Sequence, residues 1–270
     1  MFAAAVVQLN CSSNAEANWT SAEALVRRAA GYGAQFVATP ENANYLGPHS
    51  EKVRLAEPLS GNVVQRFANL AEELQIHLLV GSVNERSDDP QRCYNTSVLL
   101  GPRGQIIQSY RKMHLFDVDV SPEVRFLESD TAVAGNEPRI AETALGNFGM
   151  SVCYDLRFPE LYRVLVDGGA TILLVPSAFT ATTGKDHWEV LLRARAIETQ
   201  CYVIAPGQHG EHDDRGLRNS YGHSMIIDPW GHVIARVSDG TGIALAEIDL
   251  DRVATVRRGM PVASHRRLEA

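Results

Sequence analysis

The sequence predicts an α/β protein built as a single domain, with two β-sheets packed face to face and helices outside them, an α-β-β-α sandwich. Three observations predict it. Strand-like and helix-like segments alternate along the whole chain. Two β-rich hairpin patterns, SVLLGPRGQII at 97–107 and SMIIDPWGHVI at 224–234, echo each other at a constant offset of 127 residues, as an internally duplicated two-sheet core would. The 270 residues are 45% hydrophobic and 21% charged without a composition break, the balance of one globular domain with a substantial core.

The elements follow in order. Residues 2–9 read as a buried strand. Ser13 and Glu16 form a capping-box signature before a helix with Trp19, Ala22, Val26 and Ala29 on one face, ending near Gly31 and Gly33. A strand at 35–39, a helix at 63–74 and a strand at 76–83 complete the first third. Residues 95–100 and 105–110 make a hairpin around Gly101-Pro102-Arg103-Gly104. Next come a strand at 148–153, a helix at 159–167 and a strand at 171–175. The loop 176–185 leads into a long helix at 186–200 and a strand at 201–205. Residues 1–250 are expected to form the body. Residues 251–270 are expected to form a C-terminal helix and tail packed on it or on a partner subunit, with Arg257, Arg258, Arg266 and Arg267 solvated or facing a partner.

The formal net charge of -7 counts against nucleic acid or an anionic membrane, because either partner needs a basic surface. No apolar run approaches the roughly 20 residues of a membrane-spanning helix, and MFAAAVVQLN lacks the pattern of a secretory signal. Cys11, Cys93, Cys153 and Cys201 show no CxxC or ligand-like spacing, so a reducing cytoplasm fits better than a disulfide framework. His187, His209, His212, His223 and His232 match no compact ligand motif, and no metal is expected. The polar loop at 206–220 is expected to rim a site.

Three segments place a reactive side chain where an apolar strand gives way to a turn: FVATPE at Glu41, QSYRK at Lys112 and GMSVCYD at Cys153. Singly, each has an ordinary explanation as core, solvated or turn residue. Together they meet the demands of attack on an amide carbonyl. That reaction needs an activated thiol, a donor to the forming oxyanion, and an acid for the departing nitrogen. A free thiol, with a pKa of about 8.5, is mostly protonated at neutral pH, so it needs a base or a cation beside it.

ATPE at 38–41, YRKMHLFD at 110–117 and CYDLRFPELYR at 153–163 resemble, in order and spacing, the signature segments of the nitrilase superfamily of carbon-nitrogen hydrolases. The resemblance runs from about residue 2 to 267. It implies a four-layer α-β-β-α fold, no cofactor, and a homodimer or larger oligomer. Residue by residue, Glu41 resembles the general base, Lys112 the oxyanion-stabilising lysine and Cys153 the nucleophile, with the Tyr154 backbone N–H as second oxyanion donor. Glu128, in RFLESD, resembles a second glutamate that orients the lysine.

Residues 176–203 and 220–231 resemble the branch holding deaminated glutathione amidases and 2-oxo acid ω-amidases. That branch implies a small amide substrate with a 2-oxo carboxylate. Arg157 is the candidate to pair with it, the alternative being a structural Arg on Asp155 or Glu160. Phe179 and Thr183 are candidates to line the acyl pocket. The rival readings are an ω-amidase or carbamoyl-amide hydrolase using the same centre, and a binding protein without turnover. The intact set of three counts against the last, since a pure binder needs no activated thiol.

Overall fold

The computed structural model describes residues 1–121, 124–212 and 218–268. Its first half runs β1 (Phe2–Gln8), α1 (Ala15–Gly31), β2 (Phe36–Ala38), α2 (His49–Arg54), α3 (Asn62–Leu74), β3 (His77–Arg86), β4 (Cys93–Leu100) and β5 (Ile106–Arg111). A small hairpin of β6 (Asp117–Ser121) and β7 (Val124–Leu127) follows, then the two-residue β8 (Ala132–Val133) beside β4. The second half runs β9 (Arg139–Thr143), β10 (Gly146–Met150), α4 (Pro159–Asp167), β11 (Ile172–Leu174), α5 (Ala181–Thr199) and β12 (Tyr202–Ala205). The hairpin β13 (His209–Glu211) and β14 (Asn219–Tyr221) precedes β15 (Met225–Ile227), β16 (Val233–Arg236), β17 (Gly242–Ile248) and α6 (Leu250–Gly259).

The two sheets repeat one topology. The first is ordered β17-β1-β2-β3-β4-β5 and the second β9-β10-β11-β12-β15-β16. In both, the successive pairings are antiparallel, parallel, parallel, antiparallel and antiparallel. The echoed hairpins are β4-β5 and β15-β16, which occupy equivalent edges, so the 127-residue offset marks matching units.

Burial explains the four layers. Alternate strand residues point to opposite faces. Ala4, Val6, Phe36, Ala38 and Leu79 meet Phe148, Met150 and Ile172 between the sheets, where the Phe36 and Phe148 rings stack at 4.6 Å. Ala5, Val7, Val37, Leu78 and Val80 turn outward onto Ala22, Val26, Val64, Phe67 and Ala71 of α1 and α3. The outer face of the second sheet is covered by Leu161, Tyr162 and Leu165 of α4 with Trp188, Leu192 and Ala196 of α5. The α-β-β-α expectation holds.

Several local expectations are corrected. The first helix is capped by Asn14, whose side chain accepts the Ala17 N–H at 3.0 Å, while Glu16 turns outward to pair with Arg66. Asn caps as well as Ser, and it stands one residue nearer. The long helix begins at Ala181, not 186, although Thr and Gly are weak helix formers. Packing overrides propensity there: Gly184 lies so close that a Cβ would fall 2.4 Å from the Tyr221 side chain. Cys153 is not the last residue of a strand; β10 ends at Met150 and Cys153 opens a one-turn 3-10 helix, Cys153–Arg157. The terminal arginines are not simply solvated. Arg257 donates to the Ala170 carbonyl and lies 3.1 Å from Cys201 Sγ, and Arg266 pairs with Asp167.

Candidate active site

Three turns at one end of the sandwich deliver the predicted residues. After β2 the chain is pinned to β3 by Thr39, whose N–H and hydroxyl both donate to the Leu79 carbonyl. Gly81 allows this crossing, because a Cβ there would lie 2.1 Å from the Thr39 carbonyl oxygen. Glu41 follows. Lys112 continues from β5, its N–H held by the Asn95 carbonyl at 2.9 Å. Cys153 has φ +50°, a left-handed conformation costly for a side-chain-bearing residue, and its N–H donates to the Pro176 carbonyl at 2.9 Å. Asp155 accepts the Val152 N–H at 2.8 Å and so closes the turn that presents the thiol.

The side chains converge. Lys112 Nζ donates to Glu41 Oε1 at 3.1 Å and to Glu128 Oε2 at 2.8 Å. Asn95 Nδ2 bridges the same two carboxylates at 2.8 and 3.1 Å. Glu41 Oε2 accepts the Ala178 N–H at 2.8 Å, and Glu128 Oε2 accepts the Phe116 N–H at 2.7 Å. Glu41 is 3% exposed, Lys112 2%, Glu128 5% and Cys153 8%, so these charges act on one another with little screening by water. Burial opposes the Lys112 ammonium, but Glu128 and Glu41 outweigh it and hold the group well above its usual range. Burial, then the adjacent Glu41 carboxylate, push the Cys153 thiol well above its ordinary value, against the pull of Lys112. The resting group is therefore a neutral thiol beside a carboxylate.

A cavity opens over this cluster, lined by Glu41, Lys112, Glu128, Cys153, Tyr154, Arg157, Phe179 and Thr183 among others. The eight catalytic and substrate-binding candidates from the sequence thus reach one site. Among the described residues, Arg157 makes no hydrogen bond or ion pair with Asp155 or Glu160. Asp155 is occupied by Tyr110, His114 and Val152, while the Arg157 guanidinium lies 3.4 Å from His187 Nδ1 and 5.2 Å from the Phe179 ring centroid. Thr183 sits in the first turn of α5 rather than in a loop, its hydroxyl 2.8 Å from that of Thr180. Residues 213–217 of the expected rim lie outside the described residues, but Arg218 lines the cavity. Among the described residues the histidines join no group of three or more side chains that could hold a metal: His187 lies by Arg157, His212 bonds the Cys11 carbonyl and Ser220, His223 the Tyr221 carbonyl, and His232 faces Asp228.

Sequence reasoning missed Asn95, Lys52, His49, Phe116 and Phe126, all of which touch the cluster or line the cavity, and it expected the 206–220 rim without singling out Arg218. No sequence signal marked them: Asn95 stands with Thr96 and Ser97 in a polar stretch of its strand.

Among the described residues, no helix is long and apolar enough to cross a membrane. The family model described as carbon-nitrogen hydrolase matches residues 3–258. The chain is 44% identical to the curated deaminated glutathione amidase of Synechocystis sp. over 98% of each sequence. Two crystal structures share the fold. That of the Caenorhabditis elegans NitFhit protein has TM-score 0.93 and 39% identity, matching 98% of this chain and 65% of that one. Saccharomyces cerevisiae Nit3, described as a member of branch 10 of the nitrilase superfamily, has TM-score 0.88 and 31% identity, matching 99% of this chain and 97% of that one. The chain belongs to the carbon-nitrogen hydrolase family, within the nitrilase superfamily, and is a hydrolase of carbon–nitrogen bonds other than peptide bonds.

Proposed function

We propose that this protein hydrolyses the amide bond of deaminated glutathione to 2-oxoglutarate and cysteinylglycine through a thioester on Cys153. The observation that carries the chemistry is the Lys112 ammonium held between Glu41 and Glu128 in the wall of the cavity that Cys153 lines. The substrate is drawn from the 44% identity to curated deaminated glutathione amidases.

Glu41 takes the thiol proton as sulfur attacks the amide carbon, so the thiolate forms only in the attack. Lys112 and the Tyr154 N–H receive the oxyanion of the tetrahedral intermediate. Glu41 then returns the proton to the departing nitrogen, leaving the thioester. A water, deprotonated by Glu41, attacks the thioester carbon; the acid leaves and Cys153 recovers its proton. Glu128 orients Lys112, Arg157 pairs with the 2-oxo carboxylate, and Phe179 and Thr183 line the acyl pocket. The chemistry needs no cofactor. Four free, buried cysteines support a reducing cytoplasm. Exposed Val164 on α4 and Val190 and Ile197 on α5 support a homodimer.

The test is product release from deaminated glutathione, 2-oxoglutaramate and a carbamoyl amide, with mass spectrometry of rapidly denatured enzyme. Release of cysteinylglycine and an acyl adduct on Cys153 are expected. Adduct on Cys11, Cys93 or Cys201, or preference for another amide, would overturn the corresponding half of the proposal.

A further inference from the structure

Lys52 is a cation the proposed mechanism does not use. It lies on α2, is 8% exposed and lines the cavity together with His49, Phe126 and Arg218. Among the described residues its ammonium makes no hydrogen bond and no ion pair within 4 Å. Its field reaches the Glu128 carboxylate. That carboxylate, however, is already taken by Lys112, Asn95 and the Phe116 N–H. The ammonium is open to the cavity rather than sealed from water, so an anion that arrives with a ligand can pair with it.

Its place in the cavity indicates which part of a ligand that partner is. An aromatic wall runs along the site, with Phe126 to Phe116 at 5.8 Å and Phe116 to Tyr154 at 5.1 Å between ring centroids. Arg157 marks one end, its guanidinium 5.9 Å from the Tyr154 ring. Arg218 marks the other, 5.3 Å from the Phe126 ring. Lys52 belongs to this second end: His49, one turn earlier on the same face of α2, sets its ring edge-on against Phe126 at 4.9 Å. Between those ends, the Phe116 N–H holds Glu128, Glu128 holds Lys112, and Tyr154 directly follows Cys153. A carboxylate held at the Arg157 end leaves the Lys52 end for the opposite side of the scissile bond.

We propose that Lys52 reads a carboxylate on the leaving amine, so that the site selects amides carrying one carboxylate on each side of the bond that is cut. This deepens the proposed function and rests on it for placing the acyl group at the Arg157 end.

The test compares two substrates with the same acyl group, one releasing cysteinylglycine and one releasing its carboxamide, in wild type, Lys52→Met and Lys52→Arg. A charge-assisted pair should give the wild type a roughly ten- to hundredfold preference in kcat/KM for the carboxylate, expressed mainly in KM. Lys52→Met should bring that ratio down to about one, and Lys52→Arg should keep part of it. Both substrates are compared on the same folded variant, and Lys52→Arg keeps the charge beside Glu128, so a change in stability does not alter the ratio that is read. A wild-type ratio near one overturns the proposal. So does Lys52→Met slowing both substrates equally with the ratio preserved, because that is the signature of a lysine acting only on Glu128. If deaminated glutathione itself is not cleaved, the substrate assignment fails separately. The same carboxylate and carboxamide pair, built on the acyl group that the enzyme does cleave, then decides the role of Lys52 by the same ratio.

Discussion

The fully buried carboxylate of Asp155 accepts the Tyr110 hydroxyl at 2.8 Å, tying the strand that leads to Lys112 to the turn that presents Cys153. The same carboxylate also accepts from the Val152 and His114 N–H groups at 2.8 and 3.0 Å. Tyr110→Phe removes one of these donors. It should cost about 1–3 kcal/mol of stability in urea unfolding. Because Lys112 is two residues away, kcat should fall more than KM rises. Lost stability with unchanged kcat would make the tether purely structural.

Cys153 is one of two cysteines placed three residues after the first parallel strand of a half, the other being Cys11. Cys11 is 1% exposed, and burial pushes its thiol up to about 12. Both thiols are raised, but Cys153 lines the cavity beside Glu41 while Cys11 does not, so an acylating amide analogue should mark Cys153 and spare Cys11. Cys153→Ala should abolish turnover and keep the fold. Because φ is +50° at this position, Cys153→Gly should be at least as stable as Cys153→Ala, by up to about 1 kcal/mol, reversing the usual cost of glycine. A less stable glycine variant in thermal unfolding would argue against strain at the nucleophile.

Glu41 raises the Cys153 thiol pKa yet is assigned to remove its proton, so Glu41→Gln separates the two effects. Turnover should fall by about 10²- to 10⁴-fold with the base gone. Alkylation of Cys153 by iodoacetamide at pH 7 should become faster, because the neighbouring negative charge no longer disfavours thiolate. If labelling and turnover fall together, Glu41 acts mainly by shaping the site.

Burial alone would raise the Glu128 carboxyl, but Lys112, followed by Lys52, holds it down to about 2. In the unfolded chain a glutamate titrates near about 4.3. The unfolded state therefore binds more protons between these values, and Glu128 contributes stability that is present above about pH 4.3 and lost as pH falls toward 2. The stability gap between wild type and Glu128→Gln should narrow from pH 6 to pH 3 in urea titrations. An equal gap at both pH values would mean that Glu128 contributes through packing rather than charge.

The proposed homodimer places the exposed Val190, 66% accessible, and Ile197, 51% accessible, in a contact between copies of α5. Light scattering should report at least a dimer at micromolar concentration, and Val190→Glu with Ile197→Glu should shift it to monomer. A monomeric wild type would refute the contact.

Strand and helix order was legible because apolar periodicity records which face each segment buries, and the hairpin echo at 97–107 and 224–234 carried the duplication directly. Glu41, Lys112 and Cys153 were legible because each stands just past an apolar strand, where layered sheets expose their turns. The start of α5 was not, because Gly184 and its threonines disfavour helix until Tyr221 packs against them. Asn95, Lys52 and Asp155 were not, because a polar residue in sequence does not name its partner. Only tertiary packing decides that Asn95 bridges Glu41 and Glu128, 54 and 33 residues away, and that Tyr110 reaches Asp155, 45 residues away in the second half. Local pattern singled out the candidate reactive groups. Long-range packing decided their distances, their charges and the place of Lys52 in the cavity wall.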